Sequence, residues 1–155
     1  GLYNNNYEFH LTDDYFVINV EMVHDARIIP IHASASAARA AHKPDAIMPW
    51  LGDTVAWWDG DTLVAETRNV HPVQSVRTST PLTPDGVVTE RFTRLADDEL
   101  LYQFEVEDAN HYTTKWSGEY TFRPTGGRVH EYACHEGNYS MDGILAGARL
   151  KERGE

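Results

Sequence analysis

The stretch from Thr54 to Thr67 constrains the fold more than any other part of the chain. Two runs of strand-forming residues, Thr54-Val-Ala-Trp-Trp58 and Asp61-Thr-Leu-Val-Ala-Glu-Thr67, flank the pair Asp59-Gly60. Asp-Gly tolerates the positive φ angles of a tight type I′ turn, so the segment reads as a β-hairpin. A two-residue turn at that pair would set Trp58 opposite Asp61, Trp57 opposite Thr62, Val55 opposite Val64 and Asp53 opposite Glu66. Two carboxylates facing each other across a ladder repel. The register therefore calls for a cation between them, one carboxyl that keeps its proton, or a site to which both belong; otherwise both face solvent or the strand frays before Asp53.

With 155 residues and 41% hydrophobic content, the chain suits one domain with a single core. A net charge of -11 and the lack of clustered Lys and Arg argue against nucleic acid or an anionic membrane as partner. No apolar run approaches the length of a membrane span, and the first residues lack the basic and apolar regions of a signal peptide. Cys134 is the sole cysteine, so an internal disulfide is excluded.

The remainder reads as a succession of alternating strands. Tyr7 to Leu11 and Tyr15 to Val23 flank the polar turn Thr12-Asp13-Asp14, and Asn19 shares a face with Glu21. His24-Asp25-Ala26 makes a turn or bulge before Ile28 to Ile31, where Pro30 argues for an edge or strand end. From His32 to Leu51 the alternation breaks. Ser34 to Ala41 is alanine-rich with a serine N-cap, which predicts a short helix inside a 20-residue excursion, the form a lid over a site often takes. A second long loop, with Pro72, Pro81 and Pro84, spans residues 69 to 86 and is expected to be mobile.

Val87 to Leu95 and Glu99 to Glu107 predict a hairpin with Leu100, Tyr102, Phe104 and Val106 on one face. Tyr112 to Arg123 and Arg128 to His135 predict a last hairpin, with Trp116, Tyr120 and Phe122 at even spacing and a bend or bulge at Gly118. Met141, Ile144, Leu145 and Ala148 recur at helical spacing, predicting a C-terminal helix docked on the outside of the sheet. Eight or nine antiparallel strands joined by hairpins point to an all-β, up-and-down barrel of the lipocalin or calycin kind, because closure removes the sheet edges. A barrel of that size encloses one small ligand. A β-sandwich or a strongly curved open sheet competes with it.

Two polar clusters stand out from what a half-buried sheet needs. Glu21, His24 and Arg27 form one; Cys134-His135-Glu136-Gly137-Asn138 forms the other. A histidine with a carboxylate partner can act as general acid or base, and an arginine can hold an anion bidentately. His24, Glu21, Arg27, His135 and Glu136 are accordingly the candidate catalytic residues. Asn19, Asp53, Trp58, Glu66, Tyr102, Trp116 and Asn138 are the candidate substrate contacts. The structural alternative has His24 and Arg27 satisfying backbone groups at a bulge and Glu136 serving the C-terminal helix dipole. No metal-ligand spacing, nucleophile elbow or phosphate loop is present, so neither a metal nor another cofactor is expected.

Trp50-Leu-Gly-Asp-Thr-Val-Ala-Trp-Trp-Asp-Gly-Asp-Thr-Leu-Val-Ala-Glu-Thr67 resembles the Trp-x-Gly-Asp-Ser-x-Gly-x-Trp-Glu/Asp-Gly-Asp-Thr-Leu-Val-Val-Glu-Thr signature of an uncharacterised family of exported bacterial proteins. Tyr3 to Asn6, Glu21 to Pro30, Thr89 to Arg94 and Glu131 to Tyr139 carry the same resemblance, which spans nearly the whole chain. Thr54 and Ala56 stand where the family tends to have Ser and Gly, and the alanine-rich insert replaces its usual loop. The resemblance implies a longer exported relative and hence a periplasmic or extracellular location; it brings no activity with it.

Two functions fit these residues. One is a cofactor-independent lyase, isomerase, cyclase or hydrolase working on a small apolar or aromatic molecule by His/carboxylate acid-base chemistry. The other is a non-catalytic, lipocalin-like protein holding such a molecule in its barrel. Either leaves room for a homodimer.

Overall fold

The computed structural model describes residues 5–22, 24–75, 80–133, 136–137 and 139–154. Eight strands form one sheet in sequence order: β1 (Tyr7–Leu11), β2 (Tyr15–Val20), β3 (Ala26–His32), β4 (Asp53–Asp59), β5 (Thr62–Arg68), β6 (Val87–Ala96), β7 (Glu99–Glu107) and β8 (Trp116–Phe122). Among the described residues three helices interrupt or follow it: α1 (Ala35–Ala40), α2 (Pro72–Ser75) and α3 (Ser140–Arg153). The sheet curls into a half-barrel. Side chains of β1 reach those of strands far from it in the sheet order, with the rings of Phe9 and Phe122 5.2 Å apart and those of Phe9 and Phe92 6.1 Å apart.

Alternation assigns the inner face. Phe16 and Ile18 of β2, Ile29 of β3, Ala56 of β4, Leu63 and Ala65 of β5 and Phe92 of β6 form the buried core, with Tyr7, Phe9, Leu100 and Tyr102 packed against it. The face expected of β7 and β8 is present, since Leu100 pairs with Phe122, Tyr102 with Tyr120 and Val106 with Trp116. Gly118 produces no bulge there. It lies opposite Phe104, and a Cβ at that position would stand 2.6 Å from the Phe104 ring. The register irregularity falls instead between Arg94 and Ala96.

The barrel does not close, and one pairing departs from the antiparallel plan: β3 and β4 run parallel through Ile31–Ala56 and His32–Trp57. Parallel neighbours need a crossover of a dozen or more residues, usually through a helix. The excursion between His32 and Asp53 is that crossover, not a lid. Ser34 caps α1, its hydroxyl accepting from the Ala37 amide at 3.2 Å. Fully buried Ala38 seats the helix on Val55, Trp57 and Val64 of the outer face. Pro30 is tolerated in β3 because the β4 pairing begins only at Ile31.

The parallel step makes β1 and β8 run in the same direction, so these two edges face each other across an open seam without an antiparallel match. No ninth strand forms among the described residues. Residues 128–133 instead descend beside the seam and make one isolated bridge, Met22 with Tyr132. Nor is α3 docked: Met141 and Ile144 remain 64% and 65% exposed. The described part of the proline-containing loop is held down by Asp108, whose carboxylate accepts from the Thr83 amide, while the Asn110 amide donates to its other oxygen at 2.9 Å.

Candidate functional site

The inner face of the half-barrel carries a cavity of about 700 Å³. Phe9, Phe16, Leu63, Phe92, Leu100 and Phe122 line its depth. Its mouth lies at the β4–β5 and β6–β7 turns and along the seam, where Trp58, Asp61, Asp97, Asp98 and Arg123 stand. The rings contact one another edge to face or stacked, with Phe16 and Phe92 5.0 Å apart and Phe9 and Phe16 5.8 Å apart. Such an arrangement leaves an apolar hollow bounded by rigid groups.

Behind this hollow lies a polar cluster. Arg27 projects inward from β3 and meets Glu90 of β6 in a bidentate pair, with Nη1 to Oε1 at 2.9 Å and Nη2 to Oε2 as the second arm. The Tyr102 hydroxyl donates to Glu90 Oε1 at 2.9 Å. Arg27 Nη2 also donates to Thr67 Oγ1 at 3.1 Å, and the Thr54 and Thr67 hydroxyls lie 2.9 Å apart. Arg27 and Glu90 border a smaller pocket of about 280 Å³ walled by Leu51, Val70, Leu82 and Val88.

Burial acts most strongly on Glu90 and would raise its pKa, but the charge and hydrogen bonds of Arg27, helped by Tyr102, hold the carboxyl below its ordinary value. Burial likewise opposes the Arg27 charge; Glu90 outweighs it and raises the guanidinium pKa. The Tyr102 phenol is pushed far up, first by burial and then by Glu90, and burial raises Tyr120 to about 12. The cluster is thus an ionised pair with a neutral phenol donor.

A second cluster occupies the outer face. The turn of the central hairpin is formed by Gly60-Asp61 between paired Asp59 and Thr62, with Gly60 at φ +60°. This moves the register by two residues from the expected one. Asp53 pairs with Arg68 and Val55 with Glu66. The two carboxylates remain neighbours, and the side chain that reaches both comes from the segment after α1. His42 Nδ1 lies 2.8 Å from Asp53 Oδ2 and Nε2 lies 3.5 Å from Glu66 Oε1. Lys43 adds its amide to Asp53 at 2.8 Å, and Arg39 and Arg68 grip Glu66 at 2.8 and 2.9 Å. Burial would raise both carboxyls, yet these donors together bring each below its usual range. Arg39 also lies over the Trp57 ring, 5.0 Å from its centre. Arg39, His42 and Lys43 thereby fasten α1 and the residues after it to the sheet, while Arg68 holds Glu66 from within β5.

The residues singled out from sequence are therefore dispersed. Arg27 and Tyr102 meet in the inner cluster, and Trp58 reaches the cavity mouth, 47% exposed. Asp53 and Glu66 belong to the outer clasp. Glu21 accepts from the Asn6 side chain at 2.8 Å, and Asn19 sits on the outer face opposite Glu8 and Ala26. His24 is exposed in a turn at φ +55° and joins neither cluster. Glu136 is exposed in a turn, and Trp116 packs edge-on against Phe104. His135 and Asn138 lie outside the described residues, as does Cys134.

Sequence reasoning missed Glu90 and His42. Glu90 had a signal: it occupies an inward position between Val88 and Phe92 in an alternating strand, where a charge needs a partner. His42 had none, because its partners come from another element. Among the described residues no group of three His, Cys, Asp or Glu side chains is placed to hold a metal ion. Fold and cavity together define an open, aromatic-lined half-barrel. The chain matches no family model, no curated protein and no solved structure.

Proposed function

We propose that this protein binds a small, predominantly apolar or aromatic molecule within the half-barrel, without transforming it. The observation that carries this reading is the cavity of about 700 Å³ on the inner face, within the size range of small-ligand sites, its depth walled by Phe9, Phe16, Leu63, Phe92, Leu100 and Phe122. Its charged residues stand at the mouth, where Arg94 is 68% exposed and pairs with Asp97 at 3.7 Å.

An acid-base enzyme would have to draw on Arg27 and Glu90 at the smaller pocket, with Tyr102 bonded to Glu90. Their arrangement supports that reading less well, because a general base works best with a pKa near the operating pH. Glu90 is held ionised and weakly basic, and Tyr102 is held protonated. Titration with the uncharged fluorophore N-phenyl-1-naphthylamine tests the binding reading. The expected result is saturable fluorescence with a Kd of roughly 10–100 µM, given the contact energy available per ligand atom. Leu100→Asp, which places a charge in the cavity wall, should abolish it, whereas Ile28→Ser on the exposed outer face should not. An absence of saturable binding, or equal binding by Leu100→Asp, would overturn the assignment.

A further inference from the structure

We infer that the ligand of this cavity is an organic cation, an amine or quaternary ammonium joined to an aromatic or aliphatic body. The inference rests on the reading that the cavity holds a ligand, and it adds the sign of that ligand's charge.

Two independent properties of the cavity point to a cation. The first is its lining. Tyr7, Phe9, Phe16, Phe92 and Phe122 supply a continuous aromatic surface, and the electron-rich faces of such rings attract ammonium groups. The second is the charge around the opening. Among the described residues, Asp61, Asp97, Asp98 and Glu99 stand there against Arg94 and Arg123. Both arginines are committed, Arg94 to Asp97 and Arg123 to Glu99 at 3.3 Å. Asp61 and Asp98 remain in excess.

An apolar acid would need the opposite arrangement, an uncommitted guanidinium or ammonium to receive its carboxylate. Among the described residues neither lysine nor histidine lines the cavity, and the inner guanidinium of Arg27 is already neutralised by Glu90. The chain's overall charge of -11 reinforces the same selection at longer range. Because the surplus carboxylates are exposed, their contribution is screened by salt, whereas the ring contribution is not.

Three naphthalene probes that share a body and differ in head group separate these terms: (1-naphthylmethyl)trimethylammonium, 1-naphthalenemethanol and 1-naphthaleneacetate. Each is titrated calorimetrically at low and high salt. The expected order is cation, then alcohol, then anion, with cation and anion about tenfold apart at low salt and closer at high salt. Asp61→Asn combined with Asp98→Asn should weaken the cation more than the alcohol. Equal binding of all three probes, or preference for the anion, would overturn the cation assignment and leave the binding cavity standing. No binding by any of the three would overturn the cavity reading itself.

Discussion

Arg27 and Glu90, far apart in the chain, form a bidentate ion pair on the inner face of the sheet, among the aliphatic and aromatic side chains of its core. A buried pair of this kind contributes little net stability, since desolvation offsets attraction, but removing one partner strands the other charge. Glu90→Ala is therefore expected to lower unfolding free energy by about 3–5 kcal/mol, as breaking a buried pair does. It also leaves the Tyr102 hydroxyl without its acceptor. Replacing both members together, Arg27→Met with Glu90→Leu, should cost less than Glu90→Ala alone. Urea unfolding of the three variants checks the order; a double variant less stable than Glu90→Ala would show that the pair itself supports the fold.

Acid should unfold the protein through its buried carboxylates. Asp53, Glu66 and Glu90 each have a folded pKa below the ordinary value. Their unfolded values lie near 4. The unfolded chain thus binds more protons as pH falls, so the stability these groups contribute is complete above about pH 5 and is lost as pH drops through 4 toward the lowered folded values. Urea midpoints measured from pH 6 to pH 3 should fall mainly below pH 4.5. Glu66→Gln should flatten that decline, and an unchanged slope would count against Glu66 as a contributor.

Gly52 links the crossover to β4 with φ +82°, and an added Cβ would stand 2.7 Å from Thr67 Cγ2 and 2.9 Å from the Arg68 carbonyl oxygen. Gly60 also has positive φ, +60°, but nothing lies within 4 Å of its Cβ position. Gly52→Ala should cost roughly 2–4 kcal/mol from strain and overlap. Gly60→Ala should cost about 1 kcal/mol from conformation alone. Thermal melts of the two variants compare them directly; equal losses would remove the close approach as the reason for Gly52.

These contrasts also show what the sequence could reveal. The strands, the Ser34 cap and the inward row Leu100, Tyr102, Phe104 and Val106 follow from local periodicity and turn chemistry. The parallel β3–β4 pairing was legible in principle, because a 20-residue helical insert between strands has the length of a crossover. The two-residue error in the central register came from placing the turn at Asp59-Gly60, when the structure puts glycine first in Gly60-Asp61. The candidate site was hardest to read. Arg27 was visible as a charge, but Glu90 lies five elements further along the chain, and no local pattern joins them.

The seam between β1 and β8 carries the last prediction. Because the two edges run the same way, a strand lying between them must run oppositely to be antiparallel to both. Residues 128–133 run in that direction, leaving the end of β8 and reaching the end of β2. Gly127 and Val129 line the cavity, and the Tyr132 amide donates to the Glu21 carbonyl at 2.7 Å, beside the start of β1. The segment is a strap over the open side of the cavity, fastened at its lower end. Tyr132→Pro removes that amide donor. Loss of a hydrogen bond worth about 1 kcal/mol should speed dissociation of N-phenyl-1-naphthylamine about fivefold in stopped-flow experiments. The urea midpoint should fall only by what that one bond is worth, since Tyr132 lies outside the eight strands in an isolated bridge to Met22. An unaltered dissociation rate would mean that the ligand leaves by the hairpin end of the cavity, past Trp58 and Asp61, and that the strap is not its gate.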